Sequence, residues 1–297
     1  MILTVPFMAR AMAELALLAL ICGPVGVFVF ARRLSFVSDA LTHTVFPGVV
    51  IGFLAGGVEG LVVGALVAGL LTAVVLTLLT RGGALSDDAS TAVVLTAMFS
   101  IGVVLVSRQS SYTSDLTSFL FGRLLTVTPR QIAETAVLAA VILVMLAIAA
   151  RPLLFRTFDP AAAAAAGYRT FWLDLWLNVI VALVVVAAVR AVGTILVVAL
   201  LIIPAAAARL ITARLAAMAV IGTVLILLAG YGGLWISWTA SVDYGISLTS
   251  ASAVVLLLVL AYLLLLPLGR LSTVRRSSLS HRGTPPAPKG SPHELVG

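Results

Sequence analysis

From residue 11 to residue 268 the chain is a succession of apolar runs, each close to the length of a membrane-spanning helix and separated by a few polar residues. The runs fall at about 11–31, 41–57, 60–80, 89–107, 131–150, 171–189, 192–209, 215–236 and 246–268. A hydrocarbon layer about 30 Å thick requires about 20 consecutive apolar residues in a helix. Only 10% of the residues are charged and the mean hydropathy is +1.23, whereas soluble domains carry about 25% charged residues. The sequence therefore predicts an all-α integral membrane protein, a polytopic bundle of about nine transmembrane helices. Eight or ten is allowed, because the second run is short and contains Pro47-Gly48.

The formal charge of +7 is carried by arginines placed singly or in pairs at the ends of apolar runs. They form no basic stripe with interleaved aromatics, so they read as topology signals and no nucleic-acid partner is expected. With the N-terminus outside, the loops holding Arg32-Arg33, Arg81, Arg151, Arg156, Arg169, Arg209 and Arg214, and the end with Arg270, Arg275 and Arg276, fall inside. Arg108, Arg123, Arg130 and Arg190 remain outside. The imbalance predicts N-out, C-in. The first run follows Arg10 and has a signal-sequence outline, but it continues without a clear cleavage segment and is read as the first helix. Cys22, the one cysteine, lies within that run, which excludes a disulfide framework or a multi-cysteine metal site. Residues 1–270 form one transmembrane domain. Residues 271–297, rich in Ser, Pro and Gly, are expected to be a disordered cytoplasmic tail, and His281 and His293 within it make a poor metal site.

An ionisable side chain at membrane depth costs at least about 2.5–3.5 kcal/mol and needs a partner, a wet cavity or a function. Glu14, Glu59 and Glu134 are read as interfacial, Asp87-Asp88 as acids at a helix start, and Tyr231, Trp235, Trp238 and Tyr244 as an interfacial belt. The segment SDALTHT (residues 38–44) differs, because it runs directly into an apolar stretch. In a helix Asp39 and His43 share one face. A carboxylate and an imidazole together make half of a site for a first-row divalent metal, and two chains about a two-fold axis would complete four ligands. Alternatively, Asp39 caps the following helix and His43 makes an interhelical hydrogen bond; both readings stand on these residues alone. Pro47-Gly48, one turn later, is expected to break the helix and free backbone groups, a feature tolerated beside protein or an aqueous cavity.

The chain contains no G-x-x-x-x-G-K-[ST], and its single lysine, Lys289, lies in the Pro-rich end, so a phosphate-gripping P-loop cannot be built. There is no H-E-x-x-H and no G-x-S-x-G. The chain reads as a transport subunit rather than an enzyme.

The stretch ARRLSFVSDALTHTVFPG (residues 31–48) resembles the signature of the zinc/manganese/iron branch of ATP-binding-cassette (ABC) importer permeases, RR-L-S-F-x-x-D-A-L-S-H-x-V-L-P-G, with Thr42 in place of the usual Ser. Phe121-Gly122 with Leu124-Leu125, Phe158-Asp159-Pro160 leading to Gly167, and VGTILVVALLIIPAAAARL (192–210) agree in the same order. The resemblance covers residues 5–270. It implies a homodimeric helical permease in the bacterial cytoplasmic membrane, two cytoplasmic ATPase subunits and an extracytoplasmic metal-binding protein. It implies that Asp39 and His43 are pathway metal ligands, and that Phe158, Asp159, Pro160 and Gly167 belong to the coupling segment that docks on the ATPase. Independently, Asp159-Pro160 is a helix start and Gly167 a stop, in an arginine-rich inside loop.

The expected function is the transmembrane subunit of an ATP-driven importer for a divalent transition metal ion, manganese, zinc or iron, moved by alternating access. No cofactor is expected to be bound permanently; the metal is cargo. The ending from His43 to Pro47-Gly48 resembles manganese/iron-type members slightly more than some zinc-type ones. The rivals are a permease for a metal chelate such as a siderophore or cobalamin, and a membrane enzyme or assembly factor.

Overall fold

A computed structural model describes residues 5–81, 86–107, 122–245 and 248–280, which are almost entirely helical. In chain order the helices are α1 (Pro6–Ala31), α2 (Ser35–Gly57), α3 (Glu59–Arg81), α4 (Asp87–Ser107), α5 (Pro129–Phe158), α6 (Pro160–Ala165), α7 (Thr170–Ile211), α8 (Leu215–Asp243) and α9 (Ser250–Ser280). Eight of them, all but α6, are long and apolar enough to cross a membrane. Helices of this kind satisfy their own backbone groups in lipid.

The long α7 is two limbs. Its backbone leaves helical geometry at Gly193 (φ 77°, ψ 166°), a conformation that favours glycine. Asp174, near its start, bonds to Arg32 at the end of α1. Arg190, before the bend, reaches Glu134 at the start of α5. Ala205 and Ala208, after the bend, pack with Val27 near the end of α1. Both ends of α7 therefore lie at one end of the bundle, and its limbs match the two runs expected at 171–189 and 192–209. The Arg123 N–H donates to the Ala191 carbonyl at 3.0 Å and Gly122 (φ 71°) lies against Val192, so the segment before α5 covers backbone groups beside the bend.

The break expected at Pro47-Gly48 is absent. Helix α2 runs through both residues, and the chain reverses later, at Gly56 and Gly57 (φ 60°). Gly48 and Gly52 lie on the backbone of Gly64 and Gly60. These glycines are spaced by four on each helix, which lets two antiparallel backbones approach closely. On another side Phe46 and the Pro47 ring fill the space over Gly102 of α4. Packing against α3 and α4 therefore surrounds Pro47-Gly48 where the sequence predicted an interruption.

Helix α7 is the centre, with α1, α3, α5, α8 and α9 around it. Its membrane segment is 83% buried, against 28% for α4, α5, α8 and α9. Large apolar side chains stand exposed on the outer faces, among them Val67 and Leu78 of α3, Val137 and Ile148 of α5, and Leu228 of α8; such faces suit lipid rather than water. Helix α4 starts with Asp87 and Asp88 in its first turn, as expected. Helix α9 continues to Ser280, so residues 271–280, which the sequence assigns to the tail, extend the last helix; they contain no Pro or Gly to stop it. Residues 281–297, with His281 and His293, lie outside the described residues.

The ends of the bundle differ in charge. Arg32, Arg33, Arg81, Arg156, Arg169, Arg209 and Arg214 lie at the end where α1 finishes and α7 starts; Glu59, Arg130, Glu134 and Arg190 lie at the other.

Candidate functional site

Helix α2 begins at Ser35, so Asp39 lies one turn inside it and is not its cap. Asp39 and His43 then fall about 6 and 12 Å along the axis at about 1.5 Å per residue. Their neighbours Ser38, Ala40, Leu41, Thr42 and Thr44 are fully buried. The hydroxyls of Ser38, Thr42 and Thr44 bond back to the carbonyls of Leu34, Asp39 and Leu41. This leaves Asp39 and His43 as half-buried polar side chains between fully buried neighbours, 43% and 30% exposed. Phe36, Ile51 and Leu54 of α2 are exposed as well, but residues 44–50 between them are buried, with Phe46 and Pro47 against α4.

The His43 Nε2 stands 3.8 Å from Asp39 Oδ1, too far for a hydrogen bond. Neither atom is consumed by the other. Two ligands of one tetrahedral ion, each about 2.0–2.2 Å from it, are about 3.4 Å apart, so a small side-chain rotation brings this pair to coordinating geometry. The ring edge of Phe99 meets the imidazole at 5.9 Å and 88°, which limits its rotation. No group of three or more His, Cys, Asp or Glu side chains able to hold a metal exists among the described residues. One chain therefore brings together two side chains of metal-ligating type, Asp39 and His43.

The second candidate segment has the capped form read from the sequence. The Asp159 carboxylate accepts from the Ala162 N–H at 2.8 Å, Pro160 occupies the first helical position, and Gly167 (φ 85°) ends the turn after α6. Phe158 is 70% exposed just before it, leaving an apolar side chain beside a rigid one-and-a-half-turn projection.

Two features escaped sequence reasoning. Glu14, read as interfacial, is wholly buried in α1, where one carboxylate oxygen accepts from Thr135 Oγ1 at 2.7 Å and the other has no partner. At the same end, a cavity of about 280 Å³ is lined by Glu59, Arg130, Glu134 and Arg190, among others. Arg130 bonds both Glu59 and Glu134, and Arg190 bonds Glu134. The arginines occupy these carboxylates, which argues against a cation site there. Glu59 and Glu134 do lie at an end of the bundle, as read, but the Glu59–Arg130 and Glu134–Arg190 pairs span 71 and 56 residues of sequence, and only the Arg130–Glu134 pair, four residues apart, is local. Among the belt aromatics, Tyr231, Trp235 and Tyr244 are exposed, while Trp238 packs on Phe7 at 5.7 Å.

This architecture and sequence have close counterparts. The model of the ABC 3 transport family matches residues 4–266. The chain is 32% identical over 247 residues to the manganese transport system membrane protein MntC of Halalkalibacterium halodurans, covering 83% of this chain and 84% of that protein. It is 32% identical over 252 residues to the manganese import system permease protein ScaB of Streptococcus parasanguinis, covering 85% and 89%. The solved structure of PsaBC from Streptococcus pneumoniae in complex with Fab superposes with a TM-score of 0.76 at 30% identity, covering 89% of this chain and 92% of that one. By the family model and by both relatives, the chain belongs to the ABC 3 transport family.

Proposed function

We propose that this chain is the transmembrane permease subunit of an ATP-driven ABC importer for a divalent transition metal ion, manganese first among the candidates, in a bacterial cytoplasmic membrane. Family membership and relatives named for manganese support the class of transport. The observation that carries the mechanism is the half-buried Asp39–His43 pair near the start of α2. A hard carboxylate oxygen with a borderline imidazole nitrogen suits manganese, iron and zinc. Two such pairs across a two-fold axis replace part of the ion's water shell, holding it firmly enough to select it and loosely enough to release it.

ATP hydrolysis belongs to a separate partner, since the chain has no phosphate-binding loop. The Phe158, Asp159, Pro160 and Gly167 segment docks on that ATPase at the arginine-rich end, which the charge bias places in the cytoplasm. The opposite end faces an extracytoplasmic metal-binding protein. The test is metal accumulation in cells lacking the chain and in cells regaining it, with manganese, iron and zinc supplied separately. Restored uptake of at least one ion, lost again in His43→Ala, supports the reading. Restored uptake of an organic chelate without any free ion would overturn it in favour of a chelate permease.

A further inference from the structure

Arg32 occupies the three-residue turn between α1 and α2. Its Nη1 donates to Asp174 Oδ1 at 2.6 Å and its Nε to Thr157 Oγ1 at 2.9 Å, with the side chain only 10% exposed. Arg156 Nη2 donates to the other Asp174 oxygen at 3.1 Å. One carboxylate thus holds two arginines, one from the end of α5 and one from the entry to α2. Charge-assisted bonds of this kind are short and directional, and a mostly buried pair is costly to break from one side.

The positions of these residues along the chain give the knot a direction. Arg156 lies just before the Asp159 cap of α6, and Asp174 lies in the second turn of α7, just after Gly167. Arg32 is followed only by Arg33 and Leu34 before α2 starts. Arg33 sits in the left-handed region at φ 58°, and the Leu34 N–H donates to the Val29 carbonyl at 2.8 Å. The turn is tight, so a displacement of Arg32 is passed to Ser35 and to the next two turns, which carry Asp39 and His43.

We propose that Arg32 and Asp174 are positioning residues, a strut that passes movement of the 158–167 segment to helix α2 and so couples the ATPase to the metal ligands. The proposal rests on the importer reading above. A contiguous chain of bonds is a physical route for such coupling only if breaking it uncouples the two ends.

The experiment uses the full complex, permease with its ATPase, in proteoliposomes, with the chain unaltered or carrying Asp174→Asn, Asp174→Glu or Arg32→Lys. Manganese moved per ATP hydrolysed is one readout. The other is the ATP-dependent change in amide hydrogen exchange at residues 35–43 and 159–167, which needs no cargo. Asp174→Asn and Arg32→Lys are expected to keep hydrolysis within about twofold and to lose about tenfold or more in manganese per ATP. They also lose the response at 35–43 while keeping that at 159–167, and Asp174→Glu restores both. Should Asp174→Asn fail to assemble, Arg32→Lys, which keeps the charge but not the fork, carries the comparison. A response at 35–43 that survives in the assembled variants, or uptake and hydrolysis falling in equal proportion, overturns the strut. Loss of metal transport by the unaltered complex, with its exchange responses intact, would count instead against the importer reading.

Discussion

Asp39 and His43 are separated by one helical turn and share an exposure that their neighbours lack. If they are ligands, Asp39→Asn removes the anionic oxygen and keeps the shape, so uptake is expected to fall by more than about tenfold, the loss that outer-shell changes alone can bring. His43→Ala should fall at least as far. Both variants should still reach the membrane and assemble with the ATPase, because neither side chain packs in the core; wild-type uptake of radioactive manganese by the Asp39→Asn protein would remove that residue from the pathway. Capping no longer competes as an explanation for Asp39, since α2 starts four residues earlier.

At the scale of elements, the α2–α3 hairpin depends on backbone contact between glycines. A Cβ at Gly52 would meet the Gly60 carbonyl, which is backbone and cannot swing aside. Gly52→Val is therefore expected to splay the hairpin and destabilise it by about 1–3 kcal/mol or more, read as a lowered Tm of the purified permease with weaker uptake. The α6 element gives a second expectation. Asp159→Ala removes a cap worth about 1 kcal/mol, so if this segment docks on the ATPase, binding should weaken while membrane levels stay normal, checked by co-purification. A cysteine at Ala161 should resist an impermeant reagent in intact cells if this end is cytoplasmic.

The membrane helices are legible because apolar length is a local property, although the bent α7 reads as two runs, 171–189 and 192–209; α6 is legible because Asp159-Pro160 and Gly167 act on their own segment. The Asp39–His43 face followed from helical spacing alone. What the sequence misjudged depended on partners far along the chain. Pro47 was read as a break because α4, which packs over it at Gly102, could not be seen. Glu14 was read as interfacial because Thr135, 121 residues away, hides its bond. The Arg32–Asp174 tie, across 142 residues, left no local trace either.

At the scale of the whole molecule, if Asp39 and His43 are ligands, one chain supplies two and the described residues hold no group of three, so an isologous dimer is what would complete a site. This has a consequence that separates one shared site from two independent pathways. Suppose cells make equal amounts of the unaltered chain and the His43→Ala chain, and the two pair at random. With one shared site, only dimers of two unaltered chains transport, about a quarter of the total, whereas independent protomers would leave about half of the activity. Manganese uptake near a quarter of the control, with both chains present at equal level in the purified dimers, is the expected result. Uptake near half would mean that each chain carries its own route, and that Asp39 and His43 act without their counterparts across the two-fold axis.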